Sequence, residues 1–319
     1  MDLFDTAPAV QPVLVDGARC ALARLNSANC DRCRAVCPHG AVALEDRRPS
    51  IQVRRCTGCL ACAAECLTGA LRGAGEDPDS RKLFETPVVV IGCGAAGPAH
   101  ARVRCLGALS TEQLAVLALL PAKAVRLDAS ACSACENGAV VALLELRLAE
   151  VSESSGESAV RLQLVYRRGE LEYRPVEYSR RGFMTAVGDS VRGRIHSILA
   201  NAFTTERPGA KGPPAWRSWV LTTAALAGFT AADTIAQHFF PTAVLTADCS
   251  DCLGCVGMCP TGALSAAGMQ RPRLRFRAEA CTRCGLCVSF CPESAIVIRK
   301  PEPVQLPAVR PPAGTEQDR

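Results

Sequence analysis

The sequence predicts an α+β protein in which two small cysteine-rich modules flank a parallel α/β domain and a helical segment. Three features lead to this fold class. Cysteine runs with one repeated spacing lie near both ends, strand and helix patterns alternate in the middle, and an apolar stretch follows them. The predicted boundaries are 1–83 for the N-terminal module, 84–175 for the α/β domain, 176–243 for the helical segment, 244–300 for the C-terminal module and 301–319 for a proline-rich tail.

Twenty of the 319 residues are cysteines, so thiol chemistry dominates the sequence. Disulfide scaffolds are mostly short secreted chains. This chain is long, and its opening stretch MDLFDTAPAVQPVLVDG has neither the cationic nor the apolar region of a secretory signal. We therefore expect a reducing, cytoplasmic setting in which the thiols bind metal. Aromatic residues make up only 4% of the chain, and small modules with little apolar core depend on metal to fold.

Three cysteine runs share the spacing C-x2-C-x2-C-x3-C, which is very unlikely to occur three times by chance. Cysteines two residues apart wrap a tight turn whose N–H groups point at an iron–sulfur cluster. A zinc ribbon would use two C-x2-C pairs at a longer gap, which leaves the third and fourth cysteines of each run unexplained. The runs are Cys56, Cys59, Cys62 and Cys66; Cys249, Cys252, Cys255 and Cys259; and Cys281, Cys284, Cys287 and Cys291.

A fourth run, CDRCRAVC at 30–37, lacks its first cysteine. The last cysteine of such a run serves the cluster of the paired run, so Cys37 completes the set begun at Cys56, and Cys66 joins the truncated run. Cys20 supplies the absent ligand if the nine-residue insert after it loops out. Alternatively, Cys20 is a buried core thiol and the site holds a three-iron cluster. The predicted sets are Cys20, Cys30, Cys33 and Cys66; Cys56, Cys59, Cys62 and Cys37; Cys249, Cys252, Cys255 and Cys291; and Cys281, Cys284, Cys287 and Cys259.

Segments in both modules resemble the bacterial two-cluster, or dicluster, ferredoxin family: CTGCLACAAECLTGAL, CLGCVGMCPTGAL and CTRCGLCVSFCPESAI. The resemblance covers residues 12–73 and 244–299. It implies four 4Fe–4S clusters that carry single electrons in one polyferredoxin-like chain. Two positions depart from the family's pattern, since Leu67 replaces the usual proline and the spacing of Cys20 is non-standard. Both concern the first cluster.

Short alternating stretches flank the cysteine runs and predict strands of small antiparallel hairpins. The same design thus recurs at both ends as an internal duplication of about 60 residues. The flanking stretches are PVLVDG before Cys20, AVALED after Pro38, PSIQVRR before Cys56, PRLRFRAEA before Cys281 and AIVIRK after Cys291.

The four remaining cysteines all lie in the central segment, which reads as strands ETPVVVIGC, ARVRC and AKAVRLD alternating with helices. Ser110 or Thr111 is the expected N-cap of the first of these helices. Ligand groups gather at the carboxyl ends of parallel strands. All four cysteines fall there, so they could converge on a fifth metal or iron–sulfur centre. They are Cys93, Cys105, Cys132 and Cys135.

The same segment allows two other interpretations. Gly92 to Gly97 matches the G-x-G-x-x-G dinucleotide fingerprint after a strand. However, Pro98 leaves little room for the helix that should follow, and the candidate acid, Asp128, lies 36 residues after Gly92. The segment could also be a docking domain with inert or redox-active thiols. It distantly resembles the small iron–sulfur subunit of methyl-viologen-reducing hydrogenases.

Four further expectations concern secondary structure and packing outside the cysteine-rich segments. We expect a loop at 151–158, a hairpin turning at Arg168–Gly169, and an amphipathic helix that begins at Ser179 with a twin-arginine-like stretch. The apolar stretch 219–240 should pack against the modules or a partner, because Asp233 and its polar neighbours argue against a membrane span. The lone histidines expected to be structural are His196 and His238.

The charge balance gives little support to nucleic-acid binding. The formal charge is +5, but four clusters at about −2 each would bring it to about −3, and no nucleic-acid-binding motif is present. We predict a non-catalytic electron-transfer subunit that relays single electrons between a redox enzyme and a partner carrier, within or beside a larger oxidoreductase complex. The alternatives are a flavin- or dinucleotide-binding reductase and an iron–sulfur regulator or scaffold.

Overall fold

The computed structural model describes residues 12–73, 77–120, 123–155, 161–176, 209–228, 233, 235–237, 239–268 and 273–300. The helices are α1 (Ala21–Arg24), α2 (Arg32–Ala35), α3 (Ala61–Ala64), α4 (Thr111–Leu119), α5 (Val140–Ser155), α6 (Ala215–Ala227), α7 (Gly254–Met258) and α8 (Leu286–Phe290). The strands are β1 (Val13–Val15), β2 (Val42–Glu45), β3 (Arg48–Ile51), β4 (Leu71–Gly73), β5 (Val88–Gly92), β6 (Ala101–Arg102), β7 (Ala124–Asp128), β8 (Leu162–Val165), β9 (Thr242–Leu245), β10 (Leu264–Ala267), β11 (Arg273–Phe276) and β12 (Ile296–Arg299).

The two cysteine-rich modules have the same strand plan. Each has an inner antiparallel pair between its two cysteine runs, β2 with β3 and β10 with β11. Each also has an outer antiparallel pair that joins the two ends of the module, β1 with β4 and β9 with β12. The flanking stretches therefore form antiparallel strands, as their alternating patterns predict.

A four-stranded parallel sheet lies between the modules in the order β6-β5-β7-β8. Helix α4 follows β6 and begins at a capping box, in which Ser110 and Gln113 satisfy each other's backbone N–H groups. Helix α5 follows β7. The sheet and the two helices enclose the main apolar core, with Ile91, Leu117, Leu127 and Leu144 fully buried. The parallel α/β prediction for this segment is confirmed.

Two expectations for the end of the central domain are wrong. In the stretch expected to be a loop at 151–158, residues 151–155 continue α5 through Ser155, because Val151 still packs into the core, and 156–158 lie outside the described residues. The predicted hairpin at Arg168–Gly169 does not form. Instead β8 runs parallel to β7, and the chain then turns through a short 3-10 helix, Arg168–Glu170. The apolar residues Leu162 and Val165 are buried by this parallel pairing.

Helix α6 packs mainly on the central domain, whereas the sequence suggested the modules or a partner. Trp219, Val220 and Ala224 join the core of the sheet domain, and the indole N–H of Trp219 donates to Pro78 O. Within the described residues, no helix has both the length and the apolar character needed to cross a membrane. The predicted helix from Ser179, His196, His238 and the tail at 301–319 lie outside the described residues.

Candidate metal centres

Three cavities in the modules are each lined by four cysteines drawn from two different runs. The space inside them, including solvent at the open mouth, is about 440, 310 and 340 Å³. Their four-cysteine lining, and not their size, marks them as candidate cluster sites. We name their cysteines set 2 (Cys37, Cys56, Cys59 and Cys62), set 3 (Cys249, Cys252, Cys255 and Cys291) and set 4 (Cys259, Cys281, Cys284 and Cys287).

A further group in the N-terminal module, set 1, contains Cys20, Cys30, Cys33 and Cys66. The pKa of the Cys33 thiol is raised to about 12, mainly by burial and in addition by the nearby thiols of Cys66, Cys30 and Cys20. Burial also raises the pKa of Cys20, where Cys66 and Cys30 act in the same direction. The structure therefore brings Cys20 into electrostatic contact with the three cysteines that lack a fourth partner.

Left-handed backbone recurs at fixed positions around the complete runs. Alternating left- and right-handed residues turn successive N–H groups into one concavity that favours anions, such as the sulfides and thiolates of a cluster. Every such residue has a φ between 50° and 77°. Two residues after the first cysteine of each run, these residues are Gly58, Asp251 and Arg283. Directly after the second cysteine they are Leu60, Leu253 and Gly285. Three residues after the last cysteine they are Gly69, Gly262 and Ser294.

Donors to sulfur complete the surroundings of the crossing cysteines. The N–H of Ala41 donates to Cys37 Sγ at 3.2 Å, and the N–H of Ala295 donates to Cys291 Sγ at 3.4 Å. Thr68 and Thr261 place their hydroxyls 3.5 Å from the sulfurs of Cys66 and Cys259, respectively. Donors of this kind stabilise thiolate ligands and tune the potential of a cluster.

The insert that separates Cys20 from the truncated run is held in a defined shape. Arg47 lies in the two-residue turn between β2 and β3, and its guanidinium donates to the carbonyls of Leu22, Leu25 and Ala28. In the truncated run itself, all of which is described, no residue before Cys37 has a left-handed φ. Backbone N–H groups of Leu22 and Ala23 at the start of α1 hydrogen-bond to Cys20 instead and lower its pKa, against the larger effect of burial.

Among the described residues, no three Cys, His, Asp or Glu side chains converge as a single metal ion would require. A four-iron cluster spreads its four thiolates around a larger core than one ion does. This observation therefore concerns mononuclear sites and leaves the four cysteine sets as places for clusters.

The four central cysteines lie together at the carboxyl edge of the parallel sheet. Cys93 follows β5, Cys105 follows β6, and the pair Cys132 and Cys135 follows β7. The pKa of Cys105 is raised to about 12, mainly by burial and in addition by the nearby thiols of Cys59, Cys93 and Cys132. The sheet thus gathers these four cysteines beside set 2, to which Cys59 belongs.

The glycine fingerprint at Gly92–Gly97 does not form a dinucleotide site of the usual kind. All residues from β5 to β6 are described, and a short turn rather than a helix joins the two strands, so no helix N-terminus is available for a pyrophosphate. Arg102 closes the turn by donating to Cys93 O at 2.9 Å and Gly97 O at 2.8 Å. The guanidinium of Arg168 fills the space above Gly97, where an added Cβ would meet it at 1.5 Å.

Comparison with protein families gives two matches, and both fall on the modules. The 4Fe-4S dicluster domain described by one family model matches residues 13–67, and a second 4Fe-4S dicluster model matches residues 248–303. The chain contains two 4Fe–4S dicluster domains. Two such domains carry four 4Fe–4S clusters, and they establish an iron–sulfur protein of the electron-transfer type. No curated protein matches the chain.

The sequence did not predict the contacts of three residues at these sites, because their partners are remote in the chain. Asn137 bridges the central cysteines to the N-terminal dicluster domain through Thr57 and His39. Thr282, next to Cys281, donates to Leu67 O at 2.6 Å. Arg24, inside the insert, donates to the carbonyl oxygens of the residues that end α7, Gly257 and Met258. The only sequence signals near these contacts were the non-standard spacing of Cys20, beside Arg24, and the unusual Leu67, which Thr282 contacts.

Proposed function

We propose that this chain is a polyferredoxin-type subunit that relays single electrons through four 4Fe–4S clusters between a redox enzyme and a partner carrier. The observation that carries the proposal is that three cavities, inside the two matched domains, are each lined by four cysteines from two runs. A bound cluster supplies the chemistry, which is the reversible gain of one electron. The protein binds the clusters, excludes water and tunes their potentials.

We assign sets 1 to 4 as the ligands of the four clusters. Burial favours this role, because a thiolate in an apolar pocket is costly unless a metal compensates its charge. In set 4, burial and neighbouring thiols together raise the pKa of Cys284 to about 11 and that of Cys287 to about 12. The pKa values of Cys59 and Cys62 in set 2 are raised by the same two causes. In each case burial is the larger cause.

The contacts between the sets support one continuous path in the order set 2, set 1, set 4, set 3. Within the N-terminal domain, the thiol of Cys33 in set 1 raises the pKa of Cys62 in set 2, after the larger effect of burial. Between the two domains, the hydroxyl of Thr282 donates to Leu67 O. These two residues are direct neighbours of Cys281 in set 4 and Cys66 in set 1. The crossing cysteines Cys259 and Cys291 then join set 4 to set 3.

The joint between the two dicluster domains is built from polar contacts that fix its geometry. The buried guanidinium of Arg19 donates to Thr68 O at 2.9 Å and also to Gly212 O, and the N–H of Gly212 donates to Pro260 O at 3.1 Å. The stretch at 209–214 therefore touches the equivalent turns LTG and PTG of the two domains. Fixed geometry suits a relay, because electron transfer depends on constant spacing between carriers.

Set 3 is the outward end of the proposed path. Cys252 is the one cysteine of the twenty, all of which are described, that is exposed. Leu245, which lines the same cavity as Cys252, is also exposed, as are Val288 and Val297 of the same domain. We propose that a redox partner, or a larger oxidoreductase complex, docks at this end. None of the twenty cysteines forms a disulfide, and we propose a reducing compartment such as the cytoplasm.

The test is the metal content and redox behaviour of the full chain purified without oxygen. We expect at least about 16 irons and 16 sulfides per chain and four reducible 4Fe–4S signals in an electron paramagnetic resonance titration. A colourless protein holding only zinc would overturn the proposal. So would fewer than four reducible 4Fe–4S signals from fully reconstituted protein.

A further inference from the structure

The central cysteines form a second kind of thiol group, outside both dicluster domains. They come from three separate loops at one edge of the sheet. Cys93 follows the middle strand β5, and the other three follow its direct neighbours β6 and β7. Side chains at the carboxyl ends of adjacent parallel strands converge. The fold, and not a local sequence motif, therefore brings these four thiols together.

The environment of this group favours a metal-containing ligand. Cys93, Cys105 and Cys132 are only 8%, 8% and 9% exposed. Asp128 is fully buried at the end of β7. One of its carboxylate oxygens accepts from Ser130, and the other has no hydrogen-bond partner among the described residues. Three buried thiols and the half-buried Cys135 beside an unpaired carboxylate disfavour an anionic ligand such as a nucleotide phosphate and favour a cationic metal core.

Asn137 connects this group to set 2 through a short chain of hydrogen bonds. Its backbone N–H donates to Cys135 Sγ at 3.4 Å. Its side-chain oxygen accepts from the hydroxyl of Thr57 at 2.5 Å and lies 3.1 Å from the ring Nε2 of His39. Thr57 stands between two ligands of set 2, Cys56 and Cys59.

The backbone on the other side of the group packs on set 2 as well. Gly107 follows Cys105 closely, and a Cβ added there would lie 3.1 Å from Cys59 O. A side chain there would require the loop or the backbone at Cys59 to shift by a few tenths of an ångström. The buried Arg147 of α5 holds the same loop by donating to Gly107 O at 3.0 Å and Leu109 O at 2.7 Å. It also pairs with Glu65, the residue before Cys66, at 2.9 Å.

We propose that Cys93, Cys105, Cys132 and Cys135 hold a fifth iron–sulfur cluster, which exchanges single electrons with the cluster of set 2. The exchange balances without a further reactant, since the electron lost by one cluster is gained by the other. The central domain is then the inner terminus of the path whose outer terminus is set 3. This inference rests on the proposed function, because it extends the same relay by one carrier.

The test compares the full chain with the double variant Cys132→Ser/Cys135→Ser and with the matched control Ser133→Ala in the same loop. Each is purified anaerobically and analysed for iron, sulfide and zinc. We expect the wild-type chain and the control to hold about 18 irons with a two-iron cluster, or about 20 with a four-iron cluster. The double variant should lose those additional two or four irons and keep about 16.

The outcomes separate this inference from the proposed function. About 16 irons in all three proteins, or zinc that disappears only in the double variant, would overturn the fifth cluster and leave the four-cluster relay intact. Iron absent from every protein would overturn both. If the double variant fails to fold, the wild-type Mössbauer spectrum decides, because a fifth cluster must add an iron component beyond the four 4Fe–4S clusters.

Asn137→Ala tests the connection without removing a ligand. We expect unchanged iron content but a weaker magnetic interaction between the central cluster and that of set 2 in the reduced protein. The control is Asn26→Ala, which changes an exposed asparagine in the insert after Cys20, outside the central cysteines and set 2. Spectra identical to those of the wild-type chain would overturn the role of Asn137 in joining the two centres.

Discussion

The two dicluster domains share one plan but differ in their surroundings. Both have inner and outer antiparallel strand pairs and crossed groups of four cysteines. The N-terminal domain contributes Cys59 and Ala61 to the main core of the sheet domain. The C-terminal domain packs on a small core of its own and exposes Cys252.

The departures of the N-terminal domain from the family's pattern lie where the domains meet. Leu67, in place of the usual proline, presents the carbonyl that accepts from Thr282. The insert after Cys20 presents Arg24 to the end of α7. The insert therefore adds the side chain of Arg24 to the contact between the domains, whereas the contact at Leu67 uses a backbone carbonyl that a proline would also present.

The largest difference between the two domains, in iron content and electron transfer, is expected when one proposed ligand is removed from each. Cys20→Ser should cost up to about four irons, or one if a three-iron cluster remains, and should stop electron transfer from set 2 to set 3. Cys252→Ser should affect only the outward cluster and leave intramolecular transfer among the other sets. Iron analysis and flash-reduction kinetics measure both effects. A Cys20→Ser protein with wild-type iron and spectra would show that Cys20 is a core thiol.

Arg217 should matter most for the attachment of the C-terminal domain. Its guanidinium is fully buried and donates to Glu112 Oε1 at 2.9 Å and to Cys281 O at 3.0 Å. Arg217→Met leaves the carboxylate of Glu112 buried without its partner, which should cost about 3–5 kcal/mol of unfolding free energy. Chemical denaturation of the holo-protein measures it.

The matched control is the double variant Glu112→Gln/Arg217→Met. It should recover much of the loss, because no unpaired charge remains in the core. If both variants are equally destabilised, the ion pair is not the source of the effect.

Thr282→Val should weaken the joint between set 1 and set 4 by a smaller amount. The change preserves shape but removes the donor to Leu67 O, so we expect a loss of about 1–2 kcal/mol. The magnetic interaction between the two clusters should also weaken. Thr246→Val is the control, since its hydroxyl pairs with Asp248 on the surface. Equal effects of the two changes would argue against a specific joint.

The smallest effect is expected from Arg24→Ala. Arg24 is partly exposed, and its hydrogen bonds to the end of α7 compete with water, so we expect about 0.5 kcal/mol. Hydrogen exchange at the amides of α7 should rise, whereas Arg34→Ala, which removes an exposed pair with Asp31, should leave it unchanged. Faster exchange in both variants would point to a general loosening instead.

Local spacing predicted much of this molecule. The cysteine runs and their alternating flanks indicate the modules and the strands, because a tight turn around a cluster and a pleated strand each impose a short period. The cap at Ser110 follows from its capping box in the same way. The crossed groups could be anticipated because the fourth cysteine of each run serves the paired cluster.

Long-range packing could not be read from the same patterns. The polar stretch at 151–155 remains helical because Val151 reaches the core, and β8 pairs with a strand rather than turning back on itself. The contact of Thr282 with Leu67 joins residues 215 positions apart. No periodicity near either residue predicts such a partner, so only the three-dimensional structure shows this contact between the domains.

The outer strand pairs have a consequence for how such a chain is assembled. Since β1 lies against β4 and β9 against β12, the polypeptide enters and leaves each dicluster domain at neighbouring points. Each domain can therefore be inserted into a chain, or removed from it, while the two chain ends at the junction stay close together. A longer relay could arise by the insertion of further dicluster domains, without changes to those already present.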